Sequence, residues 1–262
     1  MEVPDYVAGR IRSAVPVNCS VVPNSTPVVS FGNASVARVA TLGLNPSRVE
    51  FEEKGVWLDG AKRRLATHQS LGVASLVDAP DVVIAQVLAD CYDYFLHNPY
   101  WKWFGQLETL LTLAVGASYK NGTACHLDLV QWATDPTWGR LKAAARKQLI
   151  AADRAFLRQQ LMSERIELVL LNGGKVVDEV ASTGVTFVSR PSAVDTVHNM
   201  STPVVVGRDR GVLYVGWRVN IQSSPGVTNR LRSALAARVR DEAASAGLPF
   251  DGDRSIGPGR VR

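Results

Sequence analysis

The chain has 262 residues, 46% hydrophobic and 20% charged, which is enough apolar material for one sizeable core and excludes global disorder. With 29 Lys and Arg against 24 Asp and Glu, the net charge of +5 suits a phosphate-bearing partner but is too mild to establish one. Cys19, Cys91 and Cys125 are widely spaced with no C-x-x-C pair, which argues against a disulfide framework and against a cysteine-built metal or iron–sulfur site.

The first residues, "MEVPDYVAGRIRSAVPV", contain acids and a proline and lack a continuous apolar core, so they do not read as a signal peptide; no stretch approaches a membrane span. A reducing cytoplasm is the expected location. Residues 1–35 are rich in Pro, Val, Ser and Asn and read as irregular structure. A short hairpin is expected through 26–44 with a Gly-Asn turn. A strand at about 36–43 runs into the loop "GLNPS" (43–47).

Apolar residues at helical spacing predict helices over 79–94, 104–115 and 141–163. Strands are predicted over 123–132 and 166–174, followed by a helix from Lys175. The last third reads as a strand at 185–190, a strand pair over 202–222 turning at Arg208–Gly211, and a loop plus helix over 223–247. Strand and helix alternate, so the expected fold class is α/β: a single three-layer α/β/α domain around a mainly parallel sheet. It would span 1–250, with 1–35 packed on it as an extension and 251–262 as a loose basic tail.

In such sheets ligands gather at the carboxyl ends of the strands. Four strand ends carry conspicuous polar residues: "GLNPS" (43–47), "HLDLVQW" (126–132), "LLNGG" (170–174) and "NIQSSPGVTN" (220–229). "LNGGKVV" fails the phosphate-loop pattern at Val169 and Val176, which argues against a nucleotide triphosphatase.

These motifs, in this order, make residues 36–246 resemble the uracil-DNA glycosylase superfamily. Gly43-Leu44-Asn45-Pro46 matches that family's G-x-[DN]-P loop. "QSSPGV" stands where the closing [HN]-P-S-x-x-[SN] motif falls, with Gln222 in the His/Asn position and Ser224 in the Ser position. Asp128 aligns with the base-reading Asn of a central strand. The resemblance implies that a damaged base, usually uracil, is flipped out of DNA and its N-glycosidic bond hydrolysed, with no metal or diffusible cofactor. Such a chain is expected to act as a monomer.

On that resemblance Asn45 would orient a water toward C1′ through its side-chain carbonyl, since an amide takes no proton at neutral pH. Gly43, Leu44, Pro46 and Asn172 would line the base pocket, and Phe51 would either stack on the base or pack the core, the core being the expected place of Trp57. Asp128 departs from the family: a carboxylate accepts from uracil N3–H but repels O4. Either it is protonated in a desolvated pocket, or it contacts something else, or the preferred base offers an amino group. His126 shares its strand face and would help read the base or stabilise the leaving group. Gln222 can donate to the departing base but cannot become cationic.

Ser47, Arg48, Ser223, Ser224 and Arg230 are candidates for phosphate contact, with Ser223 and Ser224 alternatively capping the last helix; Val227 would be a small wedge in the stack. "KRR" (62–64), Arg140, Lys142, Arg146, Arg208, Arg210 and Arg232 would line a backbone groove or form solvated faces. The aromatics of "NPYWKWFGQLE" (98–108) suggest a stacking platform or a core cluster. Two rival functions stay open: a catalytically inactive DNA binder, and a hydrolase of free nucleosides or nucleotides.

Overall fold

The computed structural model of the protein describes residues 2–248; the tail expected at 251–262 lies outside the described residues. In chain order the elements are α1 (Asp5–Ile11), β1 (Val39–Gly43), the short ribbon β2 (Glu52–Glu53) and β3 (Val56–Trp57), α2 (His68–Leu71), α3 (Asp81–Tyr92), α4 (Trp101–Val115), β4 (Ala124–Asp128), α5 (Ala143–Ser163), β5 (Leu168–Asn172), α6 (Gly174–Ala181), β6 (Phe187–Asp195), β7 (Met200–Asp209), β8 (Val212–Trp217) and α7 (Asn229–Ser245).

Six strands form one sheet in the order β4-β1-β5-β8-β7-β6. The first four run parallel, and β7 and β6 continue the sheet antiparallel from β8. The expected α/β domain with a mainly parallel sheet is therefore present. Strand alternation explains its two covered faces. Ala40, Leu42, Cys125, Leu127, Val169 and Leu171 pack against Leu157 of α5 and Val176, Val177 and Val180 of α6. Their neighbours Val39, Ala124, Leu168, Leu170, Val215 and Trp217 pack with α1, α3, α4 and α7. The second set sits on the face that carries the polar residues Thr41, His126, Asp128 and Asn172.

The helices follow their periodicity. In α3, Pro80 and Asp81 open the helix, and Ile84, Val87, Leu88 and Cys91 recur at three- and four-residue intervals as its buried stripe. The α7 helix starts where the Thr228 hydroxyl accepts the Leu231 N–H at 3.1 Å.

The hairpin expected over 26–44 does not form. Phe31 instead pairs with His126: its N–H donates to the His126 carbonyl at 2.8 Å, and the His126 N–H returns the bond at 2.9 Å. β4 is an edge strand with unpaired backbone groups, and the segment before β1 covers that edge. Residues 1–35 also contain a helix that was not expected, α1. The strand predicted over 123–132 stops at Asp128 because the Leu129 and Val130 amides turn to the carbonyls of Gly43 and Leu44.

The N-terminal helix is tied down by a buried ion pair. Arg10 Nη2 lies 2.8 Å from Asp153 Oδ2 of α5, with the two side chains 6% and 2% exposed. Arg10 also donates to Gln131 Oε1 at 3.1 Å, and Asp153 accepts the Gln131 N–H at 2.8 Å. Burial lowers the pKa of Arg10 and raises that of Asp153, so each charge depends on the other. Asp153→Ala leaves the guanidinium buried without its anion and is expected to cost about 3–5 kcal/mol in urea unfolding. The double variant Arg10→Met, Asp153→Leu should recover most of that loss; a loss as large as the single variant's would contradict the account.

Candidate functional site

The order of the strands selects the place. From β1 the chain crosses to β4 on one side and then to β5 on the other, so the winding direction reverses at β1. A cleft of about 470 Å³ opens there, at the carboxyl ends of the parallel strands, and its size suits a small ligand. It brings together Gly43, Leu44, Asn45, Pro46, Ser47, His126, Asp128, Asn172, Gln222 and Ser223 from the sequence reading. Phe31, Glu50, Tyr100, Trp103, Phe104, Trp138 and Asn220 complete much of the lining.

Gly43 lies opposite Asp128 in the β1–β4 register, one pleat above the Thr41–His126 pair. A Cβ at Gly43 would stand 2.5 Å from Asp128 Oδ1 and 2.9 Å from His126 Nε2. The missing side chain is what lets both groups lean over β1. Beyond it, the Asn45 amide nitrogen donates to the Pro46 carbonyl at 2.7 Å, the Trp132 carbonyl at 3.2 Å and Thr134 Oγ1 at 2.9 Å. Carbonyls only accept, so this set fixes which amide atom is nitrogen and leaves Oδ1 as the atom available to a ligand or water.

His126 sits at the end of a buried relay. Tyr119 OH is 2.5 Å from Thr41 Oγ1, which is 2.6 Å from His126 Nδ1. Burial pushes the Tyr119 phenol well above its usual pKa, so it keeps its proton and has Thr41 to receive it. Thr41 then donates to Nδ1, and the ring proton of His126 stays on Nε2, 3.4 Å from Asp128 Oδ1. Phe31 and Phe104 hold the ring, with centroids 5.6 and 5.3 Å away. The Asp128 side chain is 4% exposed, with its Oδ1 beside that ring nitrogen. Asp128 also lines the cleft, so its carboxylate is an acceptor within reach of a ligand.

Glu50, in the turn after the Asn-Pro-Ser loop, is the second acid of the cleft. Tyr94 OH donates to its Oε2 at 2.5 Å. Burial raises the Glu50 carboxyl to about 7, with the charge of Asp128 adding to the rise and Tyr94 and Arg64 opposing it. Arg64 donates to the carbonyls of Val49 and Asn98 and lies over the Tyr100 ring, 5.2 Å from its centroid. It braces the cleft wall.

Asn172 locks the opposite wall. Its Oδ1 accepts Trp217 Nε1–H and the Ile221 amide, both at 3.0 Å; its Nδ2 donates to Asn220 Oδ1 at 3.3 Å and Gln222 Oε1 at 2.7 Å. Its hydrogen-bonding capacity is spent on the protein, so it holds the loop rather than reading a ligand. Gln222 Nε2 in turn donates one proton to the Trp103 carbonyl at 3.0 Å and has one left for the cleft.

Several expected residues stand elsewhere. Phe51 is 1% exposed inside the main core, and Trp57 packs against the same core; Phe31, Tyr100, Trp103 and Phe104 supply the rings of the cleft. Arg48 is neutralised by Glu52 and by Asp135, at 2.5 and 2.8 Å. Ser224 Oγ accepts the Asn220 N–H at 3.1 Å, and the cap of α7 is Thr228, so neither Ser223 nor Ser224 caps that helix. Val227 is half-buried against the main core, and Arg230 is exposed on the first turn of α7, outside the cleft lining. Arg208 and Arg210 flank the β7–β8 turn, at the opposite end of the sheet from the cleft. Within "KRR", Arg63 pairs with Asp90 at 3.1 Å, and Arg64 is the buried brace described above. Sequence reasoning missed Glu50, which reads as one acid of "RVEFEE" until its burial is known.

A scan of the chain against protein-family models finds no match, and a search of curated proteins finds no matching relative.

Gly43→Ala is expected to push Asp128 and His126 apart and to destabilise the fold by about 1–3 kcal/mol, read by urea unfolding, with a shift of the His126 ring signals in NMR. Unchanged ring signals would contradict this packing. Glu50 makes stability depend on pH. Its folded pKa lies above the ordinary 4.5, so the stability from its neutral form is full below about 4.5 and is lost as pH rises through about 7. Stability measured relative to Glu50→Gln should therefore fall across that window; a constant difference would show that Glu50 titrates normally.

Proposed function

We propose that this chain is a monofunctional DNA glycosylase of the uracil-DNA glycosylase kind, hydrolysing the N-glycosidic bond of uracil or a related damaged base in a flipped nucleotide. The observation that carries the reading is the meeting of "GLNPS", "HLD", Asn172 and Gln222–Ser223 around a single cleft at the switch point of the sheet. These are the stretches through which the sequence resembles that superfamily.

Each part of the chemistry has a candidate. Asn45 Oδ1 accepts a hydrogen bond from a water and aims its oxygen at C1′. As the C1′–O bond forms, the glycosidic electron pair leaves on the base, and the water's spare proton passes to bulk solvent. The remaining N–H of Gln222 is a neutral donor to the departing base anion. Tyr100 and Trp103, both half-buried at the rim, offer rings for stacking, an interaction worth about 1–3 kcal/mol per base in single-strand binders.

DNA itself needs a path for its phosphates. A second groove of about 540 Å³ shares Leu44 and Trp138 with the cleft and is lined by Arg146, Lys147 and Lys175, with Arg154 paired to Glu179 and Asp178 paired to Arg218 along the same wall. Lys147 and Lys175 are exposed, and Arg140 and Lys142 are exposed nearby on the approach to α5. Such a groove binds phosphates with an affinity that falls as salt rises.

The test is incubation with oligonucleotides carrying uracil, a thymine mismatch, hypoxanthine or a 5-modified pyrimidine, followed by alkali. Strand cleavage at the modified base is expected, and Asn45→Ala should lower it by about 100-fold or more. Retained activity in that variant would remove Asn45 from the mechanism. DNA binding without cleavage of any substrate would turn the reading to an inactive DNA binder; absence of binding at low salt would turn it to a hydrolase of free nucleosides.

A further inference from the structure

The cleft contains one carboxyl group more than the reading above uses. Glu50 is 3% exposed and Asp128 5%, and both line the same cavity. Their partners make them unequal. The Tyr94 hydroxyl oxygen already accepts the Tyr100 N–H at 3.0 Å, so its own proton goes to Glu50 Oε2. A proton held by Glu50 therefore sits on Oε1. At Asp128 the neighbour is the ring N–H side of His126, at 3.4 Å from Oδ1, because the Thr41 hydroxyl occupies Nδ1. One acid is set up to donate and the other to accept.

We propose that Glu50 as a carboxylic acid and Asp128 as a carboxylate jointly read a base edge that presents an N–H beside a carbonyl oxygen, Asp128 accepting from the N–H and Glu50 donating to the carbonyl. The assignment rests on the glycosylase reading and names the edge its pocket selects. One protonated and one ionised acid supply the donor and acceptor that a single carboxamide would offer. Uracil, with N3–H next to O4, has this edge. In cytosine the donor and acceptor positions are exchanged, so the same pair discriminates against it.

The pairing is sensitive to pH through Glu50. Facing its carboxyl are Tyr94 from the turn before α4, Arg64 from the loop after β3 and Asp128 from β4, with His126 behind Asp128. On its own segment Arg48 is held by Glu52 and Asp135. Once Glu50 ionises, both acids are acceptors and the base carbonyl meets a negative oxygen.

Binding of free uracil to the full chain, followed by calorimetry or ligand NMR from about pH 5.5 to about 8.5, reads the proposal directly. Wild-type affinity should be constant at the acid end and fall by about tenfold per pH unit once Glu50 has titrated. Glu50→Gln, whose amide donates at every pH, should bind with no such slope. Asp128→Asn removes the negative charge that helps raise the Glu50 carboxyl, so its fall in affinity should set in at a lower pH. A pH-independent wild-type affinity, or a wild-type slope kept in Glu50→Gln, overturns the assignment and leaves the glycosylase reading standing. If Glu50→Gln does not fold, a fall in affinity that Asp128→Asn moves to lower pH supports the assignment, and one that it leaves in place overturns it. Absence of uracil binding by all three proteins at every pH overturns the glycosylase reading for uracil, and the assignment with it.

Discussion

A Cβ on Gly43 would come within 2.5 Å of Asp128 Oδ1 and 2.9 Å of His126 Nε2, and the cleft is arranged around that crowding. Parallel register puts Gly43 beside Asp128 and Thr41 beside His126, so a residue with no side chain is flanked by two polar ones on the same face. With the space above Gly43 empty, the His126 and Asp128 side chains can cross it toward the exit loop of β1. The backbone of Gly43 and Leu44 then accepts the Leu129 and Val130 amides, which holds the two strand exits together. The position of the Asn-Pro-Ser loop over the cleft follows from those bonds.

Around that point the polar groups are sorted by whether the protein satisfies them. Asn172 spends both amide atoms on Trp217, Ile221, Asn220 and Gln222, and Asn45 spends its nitrogen on two carbonyls and a hydroxyl. A side chain pinned by several partners loses little further freedom when a ligand arrives, which is how a rigid site is built. What the protein leaves open is the Asn45 carbonyl, one proton of Gln222 and the second oxygen of each acid, since Tyr94 holds one oxygen of Glu50 and His126 stands by one of Asp128. Those groups define the chemistry a ligand must bring.

How much of this the sequence shows depends on the range of the interaction. The strands, the helices and the polar strand ends are carried by local periodicity and turn residues, so β1, β4, β5 and β8 and the loops that follow them are readable from the chain alone. Phe51 and Phe31 are not distinguishable in that way. Phe51 turns into the core after a short 3-10 turn, whereas Phe31 reaches the cleft because its segment pairs with the open edge of β4, a contact far apart in sequence. Arg64 looks like part of a basic run and is a buried brace; Ser224 looks like a helix cap and closes the loop on Asn220. Each of these depends on a partner that only the fold supplies.

Asp128 and Gln222 are the residues at which the sequence departs from the family it resembles, and the surroundings of each bear on that departure. Gln222 cannot become cationic, yet Asn172 and the Trp103 carbonyl fix its amide and leave one N–H unused, and under the proposed chemistry a fixed dipole of that kind needs no reorganisation. Asp128 offers only acceptors, and Glu50 stands in the same cleft with its carboxyl raised to about 7, chiefly by burial and also by the charge of Asp128. The same negative charge that makes Asp128 a poor substitute for an amide thus helps its neighbour hold the missing proton. On the proposed pairing the two acids together supply the donor and acceptor that Asp128 alone lacks, and a substitution at either position alters the electrostatics of the other.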